Sequence, residues 1–190
     1  MSLIDDGTGS GNRAKVDDEN NLHTHAVIDT SQYHTNHDHG EAYTMDIDGV
    51  VVDGDGYNFV YIKNGQDEDL IITSITFWAN QNKDDNNIEV WLGHTLTSVL
   101  NNTSVVPANV NAGSGQAASG DFYVNDGGGN LTTLAGGVVA GRFKPTTSVQ
   151  KWEKKSGWIV PKNQTFTLLT TKDNKFDGYI SFYYHNSQRV

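Results

Sequence analysis

Histidines are the residues of this chain whose spacing comes nearest to chemistry. Five of the seven fall within the first forty positions. Four of those form two H-x-H pairs, His23-Thr24-His25 and His37-Asp38-His39, with His34 between them. In an extended strand residues i and i+2 point to the same side, so each pair could offer two imidazoles to one metal ion. One pair per subunit on a threefold axis would supply six nitrogens, an octahedral set suited to a divalent transition metal. His23, His25, His37 and His39 are therefore the candidate metal ligands. The plainer use is as exposed polar residues among Thr and Asn, since no neighbouring groups that would orient the rings are visible. The plainer use carries more weight, and no cofactor is expected.

Three Asp-rich stretches come next. Asp53-Gly54-Asp55-Gly56, Asp84-Asp85-Asn86-Asn87 and Asp173 to Asp177 offer hard oxygen ligands for calcium. None continues to the bidentate Glu that closes an EF-hand loop, and turns favour Asp and Asn for backbone reasons of their own. Catalytic patterns are thinner still. Only five Glu occur, none in a recognisably apolar setting. Gly113-Ser114-Gly115 lacks the strand-to-helix context of a nucleophile elbow, and Gly127-Gly128-Gly129 is not followed by the Lys-Ser/Thr of a phosphate loop. With no cysteine, thiol nucleophiles and zinc–thiolate sites are impossible. The expectation is a protein that is not an enzyme.

Aromatic residues offer binding rather than catalysis. Trp78, Trp91, Trp152 and Trp158, with Tyr179, Phe182, Tyr183 and Tyr184, could form a platform on which sugars stack. Alternation puts Tyr179, Ser181 and Tyr183 on one face of a strand and Ile180, Phe182 and Tyr184 on the other. Both faces are bulky, so this strand is expected to be covered on both sides, by core or by a neighbouring subunit. Trp91 lies opposite the apolar face formed by Ile88, Val90 and Leu92, and is the candidate for an exposed contact.

The elements that must position these residues read as strands. Hydrophobic residues make up 36% and charged residues 19%, while 20 glycines and many Asn, Thr and Ser fill the remainder. That balance suits short strands and frequent turns. Ala42 to Val52 reads as one or two strands around a hairpin signal at Asp48-Gly49. Tyr57 to Lys63, Leu70 to Ala79 and Ile88 to Gly93 follow, each bounded by polar turns. Residues 96–110 hold two short strands interrupted by Asn101-Asn102 and Pro107, residues 111–121 a loop, and Phe122 to Val124 a short strand. Leu131 to Phe143 is a bulged strand or a loop. Val149 to Trp152, Gly157 to Val160, Thr165 to Thr171 and Gly178 to His185 complete the count. Roughly eight to ten strands at this spacing, without a helix, predict an all-β antiparallel β-sandwich. The net charge of −10 argues against nucleic acid as a partner, because the chain would repel phosphates. No apolar run approaches the ~20 residues of a membrane span, so no membrane is expected. A basic flank and an apolar h-region are both lacking at the N-terminus, so no secretory signal is expected.

The first forty residues have a different character. Leu3, Ile4, Ala14, Val16, Leu22, Ala26, Val27 and Ile28 are scattered among Gly, Asn, Asp and Thr. No helical period lasts beyond a turn, and only Leu22 to Ile28 could form a strand. Such a segment cannot bury enough apolar surface alone to offset its ordering entropy. It is expected to lie along another surface, as an extended N-terminal arm over residues 1–42 preceding a sandwich over 43–190. Within it, Ile4-Asp5-Asp6-Gly7-Thr8-Gly9-Ser10-Gly11-Asn12-Arg13-Ala14-Lys15-Val16 and then Asn21-Leu22-His23-Thr24-His25-Ala26-Val27 form two phrases. Over about thirty residues this opening resembles that of a group of tailed-bacteriophage virion structural proteins, which begin DGTGSG-x-x-AKV and continue into an all-β body.

That resemblance implies a jelly roll within the sandwich class and a non-enzymatic virion role, assembled in the host cytoplasm. The favoured role is a capsid-decorating (cement) or head-fibre-base protein, with a tail or head–tail collar component as near rival. Expected partners are the chain itself, as a homotrimer, and the major capsid protein or other virion subunits. Leu22, His23, His25, Val27, Trp91, Tyr179, Phe182, Tyr183 and Tyr184 are the expected interface residues. A carbohydrate-binding β-sandwich used for host adsorption is the rival from another class; it calls for exposed coplanar aromatics and a structural calcium. A glycan-depolymerising enzyme would need a paired-carboxylate cleft, which the sequence does not show clearly.

Overall fold

The computed structural model describes residues 3–5, 13–16, 22–23, 40–83, 85–99, 102–125 and 132–185. Two compact units divide the chain, Met1–Thr30 and Ser31–Val190. In the first, the described residues form three short strands, β1 (Leu3–Asp5), β2 (Arg13–Val16) and β3 (Leu22–His23). β2 pairs antiparallel with both neighbours, Leu3 opposite Lys15 and Val16 opposite Leu22. Two of these strands were not expected. Their apolar residues are too few to signal by periodicity.

The second unit contains β4 (Ala42–Val52), β5 (Tyr57–Asn64), β6 (Asp69–Ala79), β7 (Ile88–Val99), β8 (Asn102–Ser104), β9 (Ala108–Asn109), β10 (Gly120–Asn125), β11 (Thr132–Phe143), β12 (Gln150–Val160), β13 (Thr165–Thr170) and β14 (Asn174–His185). No helix occurs among the described residues. The strands form two antiparallel sheets, ordered β12-β6-β14-β4-β9 and β11-β7-β13-β5-β10-β8. Setting β8 to β10 aside, β4 pairs with β14, β5 with β13, β6 with β12 and β7 with β11. This is one long ribbon folded back on itself. It is then rolled so that β14 also meets β6 and β13 also meets β7. The order is that of a jelly roll. Strands β8 to β10 are an insertion between β7 and β11, and they extend the β4 edge of one sheet and the β5 edge of the other.

The core lies between the sheets. Phe59, Phe77, Phe166, Phe176, Phe182, Met45 and Ile47 are fully buried, and the Phe59 and Phe176 rings stack at 4.6 Å. Along β4 the buried residues change phase, from Tyr43, Met45 and Ile47 to Val50 and Val52. The expected hairpin at Asp48-Gly49 is instead a bulge in one continuous strand. Gly49 takes φ 62°, the register against β14 slips there, and the Gly49 N–H donates to Asp177 Oδ1 at 2.8 Å. A similar irregularity joins the expected strands Val149 to Trp152 and Gly157 to Val160 into the single strand β12, which starts at Gln150 and whose register against β6 shifts between Glu153 and Trp158. β7 likewise runs on through Gly93 to Val99.

Candidate functional site

Leu22 and His23 lie in β3, opposite Val16 and Lys15. His25, Val27, His34, His37 and His39 lie outside the described residues. Among the described residues, no group of three or more His, Asp or Glu is placed to hold a metal ion.

The aromatic C-terminal strand divides as alternation predicts, with a different outcome for each face. Phe182 and Tyr184 point inward and are 0% and 1% exposed within a single chain. They therefore form part of the chain's own core and are withdrawn from the expected interface. The Tyr184 hydroxyl donates to Ser119 O at 2.8 Å and accepts from Ser119 N–H at 3.2 Å, which ties the insertion to the sandwich. Burial pushes that hydroxyl well above its ordinary value. On the outer face Tyr183 packs with Ala42 and Ile71 in a small buried cluster, while Tyr179 is 40% exposed.

The three Asp-rich stretches converge at one end of the sandwich, but lysines occupy the positions a cation would take. Lys172 Nζ lies 2.7 Å from Asp55 Oδ2, and Lys83 Nζ lies 2.7 Å from Asp173 Oδ1. The lysine beside it holds the Asp55 carboxyl below its usual range. Asp173 N–H donates to Asp55 Oδ1, and Thr171 Oγ1 donates to the Asp85 carbonyl. The Asp55 and Asp173 carboxylates and the Asp85 carbonyl thus link turn to turn, in keeping with the plainer use of Asp in turns.

A second polar region lies on the outer face of the six-stranded sheet. There Tyr61, Thr167 and Trp91 stand abreast on β5, β13 and β7, opposite in parity to the core residues Val60, Leu168 and Val90. Trp91 faces outward, as its alternation predicts, but it is half-buried and held. Its Nε1–H donates to Glu89 Oε2 at 2.9 Å, and Arg142 Nε pairs with the other Glu89 oxygen at 2.6 Å. Strict alternation would send His94 into the core. Gly93, at φ 76°, turns the backbone so that the imidazole instead stacks on Trp91, with centroids 4.8 Å apart and planes 21° apart. His94 Nδ1 lies 2.7 Å from Thr167 Oγ1, and Thr165 Oγ1–H donates to the His94 carbonyl at 2.7 Å. The ring fits because Gly137 has no side chain: a Cβ there would stand 2.4 Å from His94 Cδ2. Burial lowers the His94 pKa, so the ring is neutral at pH 7.

Beside His94 a concavity of about 360 Å³ opens, lined by Tyr61, Lys63, Asp121, Asn163 and Thr165 among others. Lys63 Nζ stands 3.9 Å from Asp121 Oδ2 on neighbouring strands. Tyr61 lies 6.0 Å from Tyr123, and burial, with Asp121 and Tyr123 nearby, pushes its hydroxyl up to about 12. Asn163 reaches the rim from the β12–β13 turn, where it sits at φ 63°, a conformation Asn tolerates better than most residues. Buried Asn64 anchors that turn: its carbonyl accepts Asn163 N–H, and its side-chain amide donates to the Val160 and Glu68 carbonyls. Sequence reasoning found Trp91 here and missed His94, Tyr61 and Asn163. The signal available for Asn163 is its place in the Pro161-Lys162-Asn163-Gln164 stretch between two strands, a turn composition. Comparison with protein-family models, with curated proteins and with solved structures finds no match to this chain.

Proposed function

We propose that this chain is a non-enzymatic structural protein of a tailed-phage virion, a capsid-decorating (cement) or head-fibre-base protein. In this reading it forms a homotrimer and docks on the major capsid protein or another virion subunit through its N-terminal residues. A tail or head–tail collar role is the near rival within the same class. One observation carries the reading: the DGTGSG-x-x-AKV phrase falls within the compact unit Met1–Thr30, separate from a jelly-roll body. The body's main apolar cluster among the described residues draws only on positions between Tyr43 and Tyr184. Quantitative mass spectrometry of density-purified particles from the producing strain tests the role. The chain is expected to band with particles at a fixed, symmetric copy number, and its absence from them would refute the assignment.

A further inference from the structure

We propose that the concavity on the outer face of the six-stranded sheet binds a neutral saccharide. This site does not depend on the virion reading. Its walls come from four separate parts of the fold: Tyr61 and Lys63 on β5, His94 on β7, Asp121 on β10, and Asn163 in the β12–β13 turn with Thr165 at the start of β13. Its volume of about 360 Å³ lies within the ~300–1,000 Å³ range of small-molecule sites.

The lining selects the chemistry. Its one ammonium and one carboxylate stand 3.9 Å apart, so the site as a whole carries no net charge. An anion such as phosphate would meet Asp121, and a cation would meet Lys63; either would have to break the pair. A neutral polyhydroxylated ligand meets neither penalty, and its hydroxyls can both accept from Lys63 and donate to Asp121. The Asn163 amide offers a donor and an acceptor at the rim. Tyr61, 2% exposed, closes the floor of the concavity and offers no ring face to a ligand. A purely apolar ligand would leave these polar groups unpaired at a cost.

A glycan array carrying neutral and acidic oligosaccharides, probed with the full chain, tests the proposal, with inorganic phosphate as a competing probe. Two variants control for the site. Asn163→Gly removes the amide while suiting the positive φ, and Asp121→Ala removes the carboxylate from a strand near the sheet edge. The expected result is binding to neutral glycans, unaffected by phosphate and at least tenfold weaker in both variants, whose circular dichroism matches that of the parent. A blank array, binding confined to acidic glycans or displaced by phosphate, or binding that both variants leave unchanged would overturn it.

Discussion

Two polar regions of the body, the Asp-rich end and the concavity beside His94, differ in what their charges do. At the Asp-rich end each paired carboxylate has a lysine at salt-bridge distance, and the turns are cross-linked by their own donors and acceptors. At the concavity Lys63 and Asp121 are only loosely paired, at 3.9 Å, and Asn163 projects from a turn held by its backbone. The first arrangement uses its polarity internally, whereas the second leaves some over for a ligand. A count of Asp and Asn in the sequence points to the first region and passes over the second. Polar composition marks a site only where the groups do not satisfy one another.

The comparison is broken most severely at Asn64, which holds the turn at the rim of the concavity. Asn64→Ala removes side-chain hydrogen bonds to the Val160 and Glu68 carbonyls and from Gln66 N–H. The Val160 bond is buried and the other two are part-buried; with about 1–3 kcal/mol for an unpaired buried group and less where water can replace the partner, a loss of roughly 2–4 kcal/mol is expected in denaturant unfolding. A change within experimental error would show that water or local rearrangement replaces those bonds.

A smaller effect separates the two regions by pH. The His94 pKa is lowered by burial from 6.5, so between its folded value and pH 6.5 the unfolded chain binds more protons than the folded one. The contribution of His94 is complete above pH 6.5 and is lost as pH falls through the folded value. Thermal midpoints measured across this window should fall more steeply for the parent chain than for His94→Gln. Parallel curves would mean that His94 titrates as an exposed residue. The smallest effect belongs to the Asp-rich end. Its ion pairs are exposed and screened, so Lys172→Met should leave the thermal midpoint unchanged and should not make it respond to added calcium. A calcium-dependent rise in the variant would show that the lysine had been masking a cation site.

Strand positions were legible because period-2 alternation is local, as in β5, β6 and the Ile88 to Leu92 part of β7. Strand continuity was not. Gly49 reads as a hairpin signal and Gly93 as the last residue of a strand, but each takes a left-handed φ within a longer strand and re-aims the residues that follow. The inward face of β14 was legible as apolar, yet alternation alone could not distinguish a chain's own core from a subunit interface; Phe182 and Tyr184 belong to the core. The concavity was invisible for a different reason. Tyr61, His94, Asp121 and Asn163 are brought together only by the pairing of β13 with β5 and β7 and of β10 with β5. No window of sequence contains that neighbourhood.

Assembly through the N-terminal residues is the central claim, and light scattering on the full chain and on residues 31–190 tests it most directly. The account predicts a trimer for the full chain and a monomer for the shorter one, both with the circular dichroism of a β-sandwich. A monomer in both forms, a trimer in both, or a shorter chain that fails to fold would contradict it.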